Sequence, residues 1–184
     1  MSLTSMDLLR SHANVFLETG TFHGGGVNRA LQAGFSKIIS IEIHEPLYIE
    51  NLTRFKDEIT KERVFLYFGD SSKIMQEIVS KIDDPIFFWF DAHDQSMNNA
   101  GVGELKCPII QELLSIIRAR SLVKRRLDTL LIDDFRLIVK PNWDVDLKKL
   151  YEILWEYNPD FRITRERGYQ DHDILKCEYK FLKN

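Results

Sequence analysis

The sequence has few of the features that define several protein classes. It contains only two cysteines, Cys107 and Cys177, which are too few for a disulfide scaffold and lack the spacing of zinc ligands. An apolar run at residues 85–90 is far shorter than the about 20 residues that a membrane-spanning helix needs. No cationic leader precedes an apolar segment at the start of the sequence, so a reducing, cytoplasmic location is expected.

The sequence also has no strong excess of either charge. Its formal net charge is −3, so no overall positive field would attract nucleic acid or an anionic membrane, and neither is expected as a partner. Hydrophobic residues make up 44% of the 184 residues, which is ordinary for a globular protein. Repeats and linkers are lacking, and the sequence therefore predicts a single domain over residues 1–184.

Short apolar segments alternate with segments of helical periodicity. The predicted strands cover residues 15–18, 37–43, 63–68, 86–90 and 129–132. The predicted helices cover residues 26–33, 46–60, 71–82 and 108–121. Gly34 suits the left-handed residue that ends a helix, and Pro46 and Pro108 suit first helical turns. This alternation is typical of βαβ units, in which a parallel sheet is covered by helices on both faces.

The last part of the chain departs from this alternation. A helix is predicted over residues 144–157, near the end of the sequence, in addition to a short helix over residues 4–12 that precedes the first strand. Two further strands are predicted at residues 161–167 and 173–182, and their spacing favours an antiparallel hairpin. The predicted fold class is therefore α/β, with a Rossmann-like, doubly wound, mostly parallel seven-stranded sheet that ends in this hairpin.

Polar residues follow each predicted strand, where ligands bind in parallel sheets. A glycine-rich loop follows the first strand and contains Glu18, Gly20, Thr21, Phe22, Gly24 and Gly25. Its glycines allow a close backbone approach to a ligand, although a plain tight turn would have the same composition. Glu42 lies at the end of the second strand, at the position of a ribose-binding acid. Asp70 and Ser71 follow the third strand, where they could bind an adenine edge or cap a helix.

Carboxylates follow the fourth and fifth strands. They belong to Asp91 and Asp94, on either side of His93, and to the pair Asp133 and Asp134. Because unpaired acids at one edge of a sheet repel one another, a divalent cation would stabilise them, and oxygen ligands favour Mg²⁺ or Mn²⁺ over zinc. Alternatively, Arg136 or Lys140 would neutralise this acidic edge.

These motifs, taken together and in order, resemble those of the Rossmann-like S-adenosylmethionine-dependent methyltransferases. The segments that resemble the first three motifs are residues 16–25, 41–43 and 69–71. Asp91, Asp133 and Asp134 resemble the metal ligands of the cation-dependent branch, which includes catechol-type and macrocin-type sugar O-methyltransferases. The chain is also similar to methyltransferase domains of glycan-building proteins from large DNA viruses, which act on rhamnose.

The resemblance implies a role for each motif. Glu18 and the loop from Gly20 to Gly25 would hold the methionine part of S-adenosylmethionine. Glu42 would bind the ribose hydroxyls, and Asp70 with Ser71 the adenine. Asp91 would contact both the cofactor and the metal ion. The catalytic residues would be Asp91, His93 and Asp94.

Two positions depart from the catechol-type pattern. That branch has an asparagine where this chain has Asp134, which makes the site more anionic. It also has a lysine as general base where this chain has Asp94, so His93 is the first candidate for the base.

The acceptor is expected to be a saccharide or another vicinal diol. The segment before the first strand is too short for the several helices that enclose a small planar acceptor in catechol-type enzymes. Residues 95–106 would form a mobile lid, and Trp143 or Tyr169 could stack on a sugar ring, although core packing is the more expected role of Trp143. The alternatives are an NAD-dependent oxidoreductase, which shares the glycine loop and Glu42, and a non-catalytic module that binds a cofactor or a glycan.

Overall fold

A computed structural model describes residues 12–93, 103–140, 143 and 145–180. Seven strands form one sheet: β1 Val15–Thr19, β2 Lys37–Glu42, β3 Val64–Phe68, β4 Ile86–Phe90, β5 Thr129–Ile132, β6 Phe161–Glu166 and β7 Ile174–Tyr179. Eight helices lie within the described ranges: α1 Gly25–Ala33, α2 Glu45–Arg54, α3 Lys56–Thr60, α4 Ser71–Ser80, α5 Ile109–Ala119, α6 Leu122–Leu127, α7 Phe135–Ile138 and α8 Leu147–Tyr157. None of these helices is both long and apolar enough to cross a membrane.

The order of the strands in the sheet is β3-β2-β1-β4-β5-β7-β6. The first five strands are parallel, whereas β7 runs antiparallel to both β5 and β6. This arrangement confirms the predicted fold class, including the terminal hairpin. The direction of winding changes between β1 and β4, whose last residues Thr19 and Phe90 lie side by side. In open α/β sheets, ligands bind beyond the strand ends at such a point.

The core lies on both faces of the sheet. On one face, Leu17 and Phe88 pack with the buried sides of α4, α5 and α8. On the other face, Phe16 and Trp89 pack with residues of α1 such as Val27. Every residue of β1 and β4 is buried, as expected for central parallel strands that are covered on both sides. The strand ends are therefore fixed by a rigid framework.

Several elements differ from their predicted bounds. The helix predicted over residues 46–60 is interrupted at Phe55, a buried residue with non-helical dihedral angles, and becomes α2 and α3. Helices α6 and α7 were not predicted, and α6 contains the basic cluster at residues 124–126. The helix predicted from residue 144 begins at Leu147, because Asp146 caps it by accepting a hydrogen bond from the Lys149 N–H. Residues 4–11 of the predicted first helix and 95–102 of the predicted lid lie outside the described ranges.

Candidate active site

The glycine loop after β1 packs directly against the end of β4. Gly20 has a φ of 82°, and a Cβ at this position would lie 2.7 Å from the carbonyl oxygen of Asp91. Gly24, with a φ of 70°, precedes α1 and packs against side chains of α2. No side chain caps the first turn of α1, which begins at Gly25. Glycine is therefore required here both for the backbone conformation and for the close approach of the two strand ends.

Glu18 lies beneath the first turn of α1. Its carboxylate accepts a hydrogen bond from Ser40, whose hydroxyl lies 2.5 Å from that of Thr21. A Cβ at Gly26 would lie 1.7 Å from Oε2 of Glu18, so the helix backbone covers the carboxylate. Burial is the main cause that raises the pKa of Glu18 to about 8. Glu18 and Thr21 thus support the loop from below, and their contact with a cofactor stays a prediction.

Glu42 connects the glycine loop to the end of β2. Its two carboxylate oxygens accept hydrogen bonds from the backbone N–H groups of Phe22 and His44, each 2.8 Å long. Phe22 has a φ of 48°, and its carbonyl oxygen accepts a hydrogen bond of 2.6 Å from Asn51 of α2. No sequence motif pointed to Asn51, because its role depends on how α2 packs. The predicted ribose contact of Glu42 is compatible with this position and stays a prediction.

Asp70 and Ser71 begin α4. Asp70 caps the helix by accepting a hydrogen bond of 2.9 Å from the Ser72 N–H, which was one of its two predicted roles. The Ser71 hydroxyl donates to Glu112 of α5 over 2.6 Å, and both side chains are buried. Burial is the main cause that raises the pKa of Glu112 to about 7. Glu112 was not predicted as a site residue, although a glutamate on the apolar helix face that contains Ile109 and Leu113 was a detectable signal.

The acids that follow β4 and β5 lie close together around His93. Nε2 of His93 lies 3.1 Å from Oδ1 of Asp91 and 2.9 Å from Oδ2 of Asp134. Ligand atoms of these three residues lie within 4.8 Å of one another, as do those of Asp133, Asp134 and Asp173. Asp134 therefore belongs to two overlapping groups that include all three predicted metal ligands. Asp173, immediately before β7, was not predicted as part of the site.

The charged groups in this cluster shift one another's pKa values. Burial and then the negative charge of Asp91 raise the pKa of Asp133 to about 7. Burial alone would lower the pKa of His93, but hydrogen bonds to Asp134 and Asp91 outweigh it and raise that pKa to about 10. Burial likewise opposes ionisation of Asp134, yet His93 and Arg136 hold its pKa below the usual value. Arg136 pairs with Asp134 and with Asp173.

This donor set suits a divalent cation. Four carboxylates, those of Asp91, Asp133, Asp134 and Asp173, share the cluster with two cationic groups, Arg136 and protonated His93. Once Asp133 is ionised, two negative charges remain unbalanced, and carboxylate oxygens are ligands that Mg²⁺ and Mn²⁺ prefer. Arg136 thus neutralises the acidic edge only in part, since within the described ranges it forms no ion pair with Asp91 or Asp133.

Aromatic residues border the cluster on two sides. Trp143 stacks on His93, with ring centroids 4.8 Å apart, and lines a small cavity together with His93, Glu112 and Asp133. Tyr169, in the β6–β7 connection, is 75% exposed, and its ring lies over the Arg136 guanidinium. Trp143 is therefore committed to His93, whereas Tyr169 is open to a ligand. Asp94, the second predicted base, lies outside the described residues.

Comparisons with known proteins place this fold among methyltransferases. No family model matches the sequence, and a sequence search of curated proteins found no match. Solved structures do match. An O-methyltransferase from Bacillus cereus in complex with S-adenosylhomocysteine is 16% identical, with a TM-score of 0.65 over 95% of this chain and 78% of that one.

Two further structures agree. TomG from Streptomyces achromogenes, an O-methyltransferase of tomaymycin synthesis in complex with S-adenosylmethionine, is 14% identical, with a TM-score of 0.63 over 94% of this chain and 75% of that one. The S-adenosylhomocysteine-bound methyltransferase PaMTH1 from Podospora anserina is 13% identical, with a TM-score of 0.62 over 96% of this chain and 76% of that one. The chain thus has the Rossmann-like methyltransferase fold, and the class that its motifs resemble is the class of these structures.

Proposed function

We propose that this protein is an S-adenosylmethionine- and divalent-cation-dependent O-methyltransferase that acts on a hydroxyl group of a sugar. The observation that carries the proposal is the acidic cluster beside the glycine loop, in which Asp134 belongs both to a group with Asp91 and His93 and to a group with Asp133 and Asp173. An oxidoreductase that used NAD would need the glycine loop and Glu42 but would have no use for this cluster. The similarity to solved O-methyltransferases supports the same reaction class.

The donor side of the site consists of the loops after β1, β2 and β3. The glycine loop would hold the methionine part of the cofactor, Glu42 the ribose, and Asp70 with Ser71 the adenine. S-adenosylmethionine supplies an electrophilic methyl group on its sulfonium. The backbone of Gly20 lies against that of Asp91, so a donor held by the loop would lie next to the acidic cluster. This proximity is what an in-line displacement requires, because its rate depends on how the reacting atoms are positioned.

The acceptor side consists of the acidic cluster. Asp91, Asp133 and Asp134 would hold a divalent cation, which would supply Lewis-acid stabilisation of the ionised acceptor hydroxyl and would offset the carboxylate charge around His93. His93 is buried between Asp91 and Asp134, whose carboxylates fix its orientation and hold its imidazole protonated. With the negative charge of these carboxylates offset by the cation, Nε2 would lose that proton and would then accept the one that the acceptor hydroxyl releases. As the oxygen–carbon bond forms, the carbon–sulfur bond breaks, and the products are the methyl ether and S-adenosylhomocysteine.

The choice of a sugar acceptor depends on Tyr169. This exposed ring is held near the cluster because the Tyr169 N–H donates a 3.1 Å hydrogen bond to Asp173 and the ring lies over Arg136. An open aromatic face of this kind suits the apolar face of a sugar ring, and a vicinal diol would bring two oxygens to the cluster. A saccharide or another vicinal diol is therefore the acceptor class that we propose.

Transfer of a labelled methyl group to a panel of methyl glycosides, with and without Mn²⁺, tests the reaction. Asp133→Ala should abolish cation-dependent transfer because it removes a carboxylate from the cluster, while the Kd for S-adenosylhomocysteine stays within about threefold, equivalent to about 0.7 kcal/mol. Asp57→Ala, on the exposed surface of α3, is the control and should match the wild type. Full activity of Asp133→Ala would remove the cation from the proposal. Tight binding of NAD without binding of S-adenosylhomocysteine would favour an oxidoreductase.

The same assay tests the acceptor. Tyr169→Ala should raise the KM for the active glycoside about tenfold, equivalent to about 1.4 kcal/mol of lost stacking, with little change in kcat. Tyr169→Phe keeps the ring and should behave like the wild type. Trp155→Ala, which removes an exposed aromatic residue of α8, is the matched control. If cofactor binding is normal but no glycoside accepts a methyl group, the sugar assignment is wrong. Equal KM values for Tyr169→Ala and wild type would remove Tyr169 from the acceptor site.

A further inference from the structure

Asp173 lies beside Asp133 and Asp134, which follow β5, although it is about 40 positions away from them in the sequence. The N–H of Phe135 donates a hydrogen bond of 2.7 Å to the carbonyl oxygen of Asp173, which fixes the start of β7 next to the turn after β5. The side chain of Asp173 is fully buried, with 0% exposure. Backbone hydrogen bonding therefore fixes the main chain of Asp173 next to the turn after β5.

The two carboxylate oxygens of Asp173 have different surroundings. Oδ2 accepts hydrogen bonds from Nη1 of Arg136 and from the N–H of Tyr169. Oδ1 is buried and has no hydrogen-bond partner among the described residues. A buried carboxylate oxygen without a hydrogen-bond donor destabilises the fold, because it has lost its hydration and gained no compensating bond. Asp133, which is close by, is also an acid and would increase this cost.

A cation would remove this penalty. Asp133, Asp134 and Asp173 each have one ligand atom within 4.8 Å of the others, a separation that one divalent ion can bridge. Arg136 forms its ion pairs with Asp134 and Asp173 through the same nitrogen, Nη1. It therefore leaves Oδ1 of Asp173 without a hydrogen bond.

We propose that Asp173 is a further ligand of the divalent cation, which it binds through its buried Oδ1 together with Asp133 and Asp134. The inference rests on the cation dependence in the proposed function and extends the ligand set beyond the residues that the methyltransferase motifs indicate. It also assigns β7, and not only the parallel strands, a direct part in the site.

Calorimetric titration with Mn²⁺ of three proteins tests this proposal. Asp173→Asn keeps the shape of the side chain and removes its charge, and it should raise the Kd for Mn²⁺ at least about tenfold. Arg136→Gln breaks the same ion pair but keeps the carboxylate, so its Kd should stay within about threefold of wild type or fall, because a repelling charge is removed. The titration with S-adenosylhomocysteine should be unchanged in all three proteins.

Each alternative result has a distinct meaning. An equal loss of Mn²⁺ affinity in both variants would show that Asp173 acts only by holding Arg136. An unchanged Kd for Mn²⁺ in Asp173→Asn would show that Asp173 has no part in cation binding. Either result overturns the proposal. Wild-type protein that binds S-adenosylhomocysteine but not Mn²⁺ would overturn the cation dependence itself. Should Asp173→Asn fail to fold, crystals of the wild type soaked with Mn²⁺ decide the question. An anomalous peak within direct ligand distance of Asp173 is expected, and a peak distant from it contradicts the proposal.

Discussion

Two buried acids outside the acidic cluster have strongly shifted pKa values. Glu18 and Glu112 are both almost fully buried, and burial raises the pKa of each carboxyl group, to about 8 and about 7 respectively. A raised pKa means that the folded protein binds the proton more tightly than the unfolded chain does. Such an acid therefore stabilises the fold at low pH, and its contribution is lost as the pH rises towards the folded-state pKa.

Glu112→Gln should change this pH dependence. The unfolded pKa is near 4.5 and the folded pKa about 7, so wild-type stability should fall between pH 5 and pH 8 through this group. The variant keeps a hydrogen-bond acceptor for Ser71 and lacks the ionisable group. Its free energy of unfolding should therefore rise by about 2–3 kcal/mol relative to that of the wild type over this pH interval. Urea unfolding at pH 5 and pH 8 measures the difference. Glu77→Gln, at an exposed site on α4, is the control, and equal pH slopes for Glu112→Gln and wild type would contradict the prediction.

Residues of the site were predictable where they directly follow a strand. Asp91, Asp133 and Asp134 follow apolar strands, so their place at one edge of the sheet follows from the topology. Asn51 and Asp173 were not predictable in this way, because one contacts the loop from a helix face and the other precedes an antiparallel strand. Their roles depend on tertiary packing, which no local pattern encodes.

At the scale of single elements, the glycines at the two ends of α1 are required for different reasons. Gly24 and Gly34 both have left-handed backbone, with φ values of 70° and 86°. A Cβ at Gly24 would lie 2.4 Å from Oδ1 of Asn51, whereas a Cβ at Gly34 would meet nothing within 4 Å. The first glycine is therefore required by conformation and by packing, the second by conformation alone.

Alanine at each position separates the two requirements. Gly34→Ala should lower the free energy of unfolding by about 1–2 kcal/mol, because a residue with a Cβ is strained in the left-handed backbone conformation. Gly24→Ala should cost clearly more, because the added carbon displaces Asn51 and Phe55, and it should also weaken binding of S-adenosylhomocysteine. Urea unfolding and calorimetry on both variants provide the comparison. Equal losses of stability would mean that the α2 side chains move aside at little cost.

Element types were more predictable than element ends. The strand at residues 86–90 was predicted with its observed bounds, because its apolar run stops where polar residues begin. The break between α2 and α3 was not predicted, since Phe55 has no helix-breaking chemistry and leaves helical geometry as its ring packs into the core. Tertiary contacts, more than intrinsic propensity, set that boundary.

Across the whole molecule, a buried ion pair connects elements far from the site. Arg120, after α5, donates two hydrogen bonds to Asp128, before β5, of 2.6 and 2.8 Å. Asp128 also accepts hydrogen bonds from Tyr157 of α8 and from the N–H of Ile86 in β4. Both charged side chains are fully buried, so the pair joins the amino ends of β4 and β5 to two helices.

Arg120→Met should therefore destabilise the entire fold. It leaves the Asp128 carboxylate buried without its partner, at an expected cost of about 3–5 kcal/mol. Arg118→Met, an exposed substitution two residues away, should change stability by less than about 0.5 kcal/mol. Chemical denaturation followed by circular dichroism measures both. A small effect of Arg120→Met would show that Tyr157 and the Ile86 N–H alone satisfy the carboxylate.

The position of β7 between β5 and β6 has a consequence for how the protein is synthesised. During translation β6 emerges before β7, yet it has no hydrogen-bonding neighbour in the sheet until β7 is made and inserted. Asp173 arrives at the same moment. A nascent chain can thus assemble the donor-side strands early, but the acidic cluster reaches its final composition only once the ribosome has passed the hairpin.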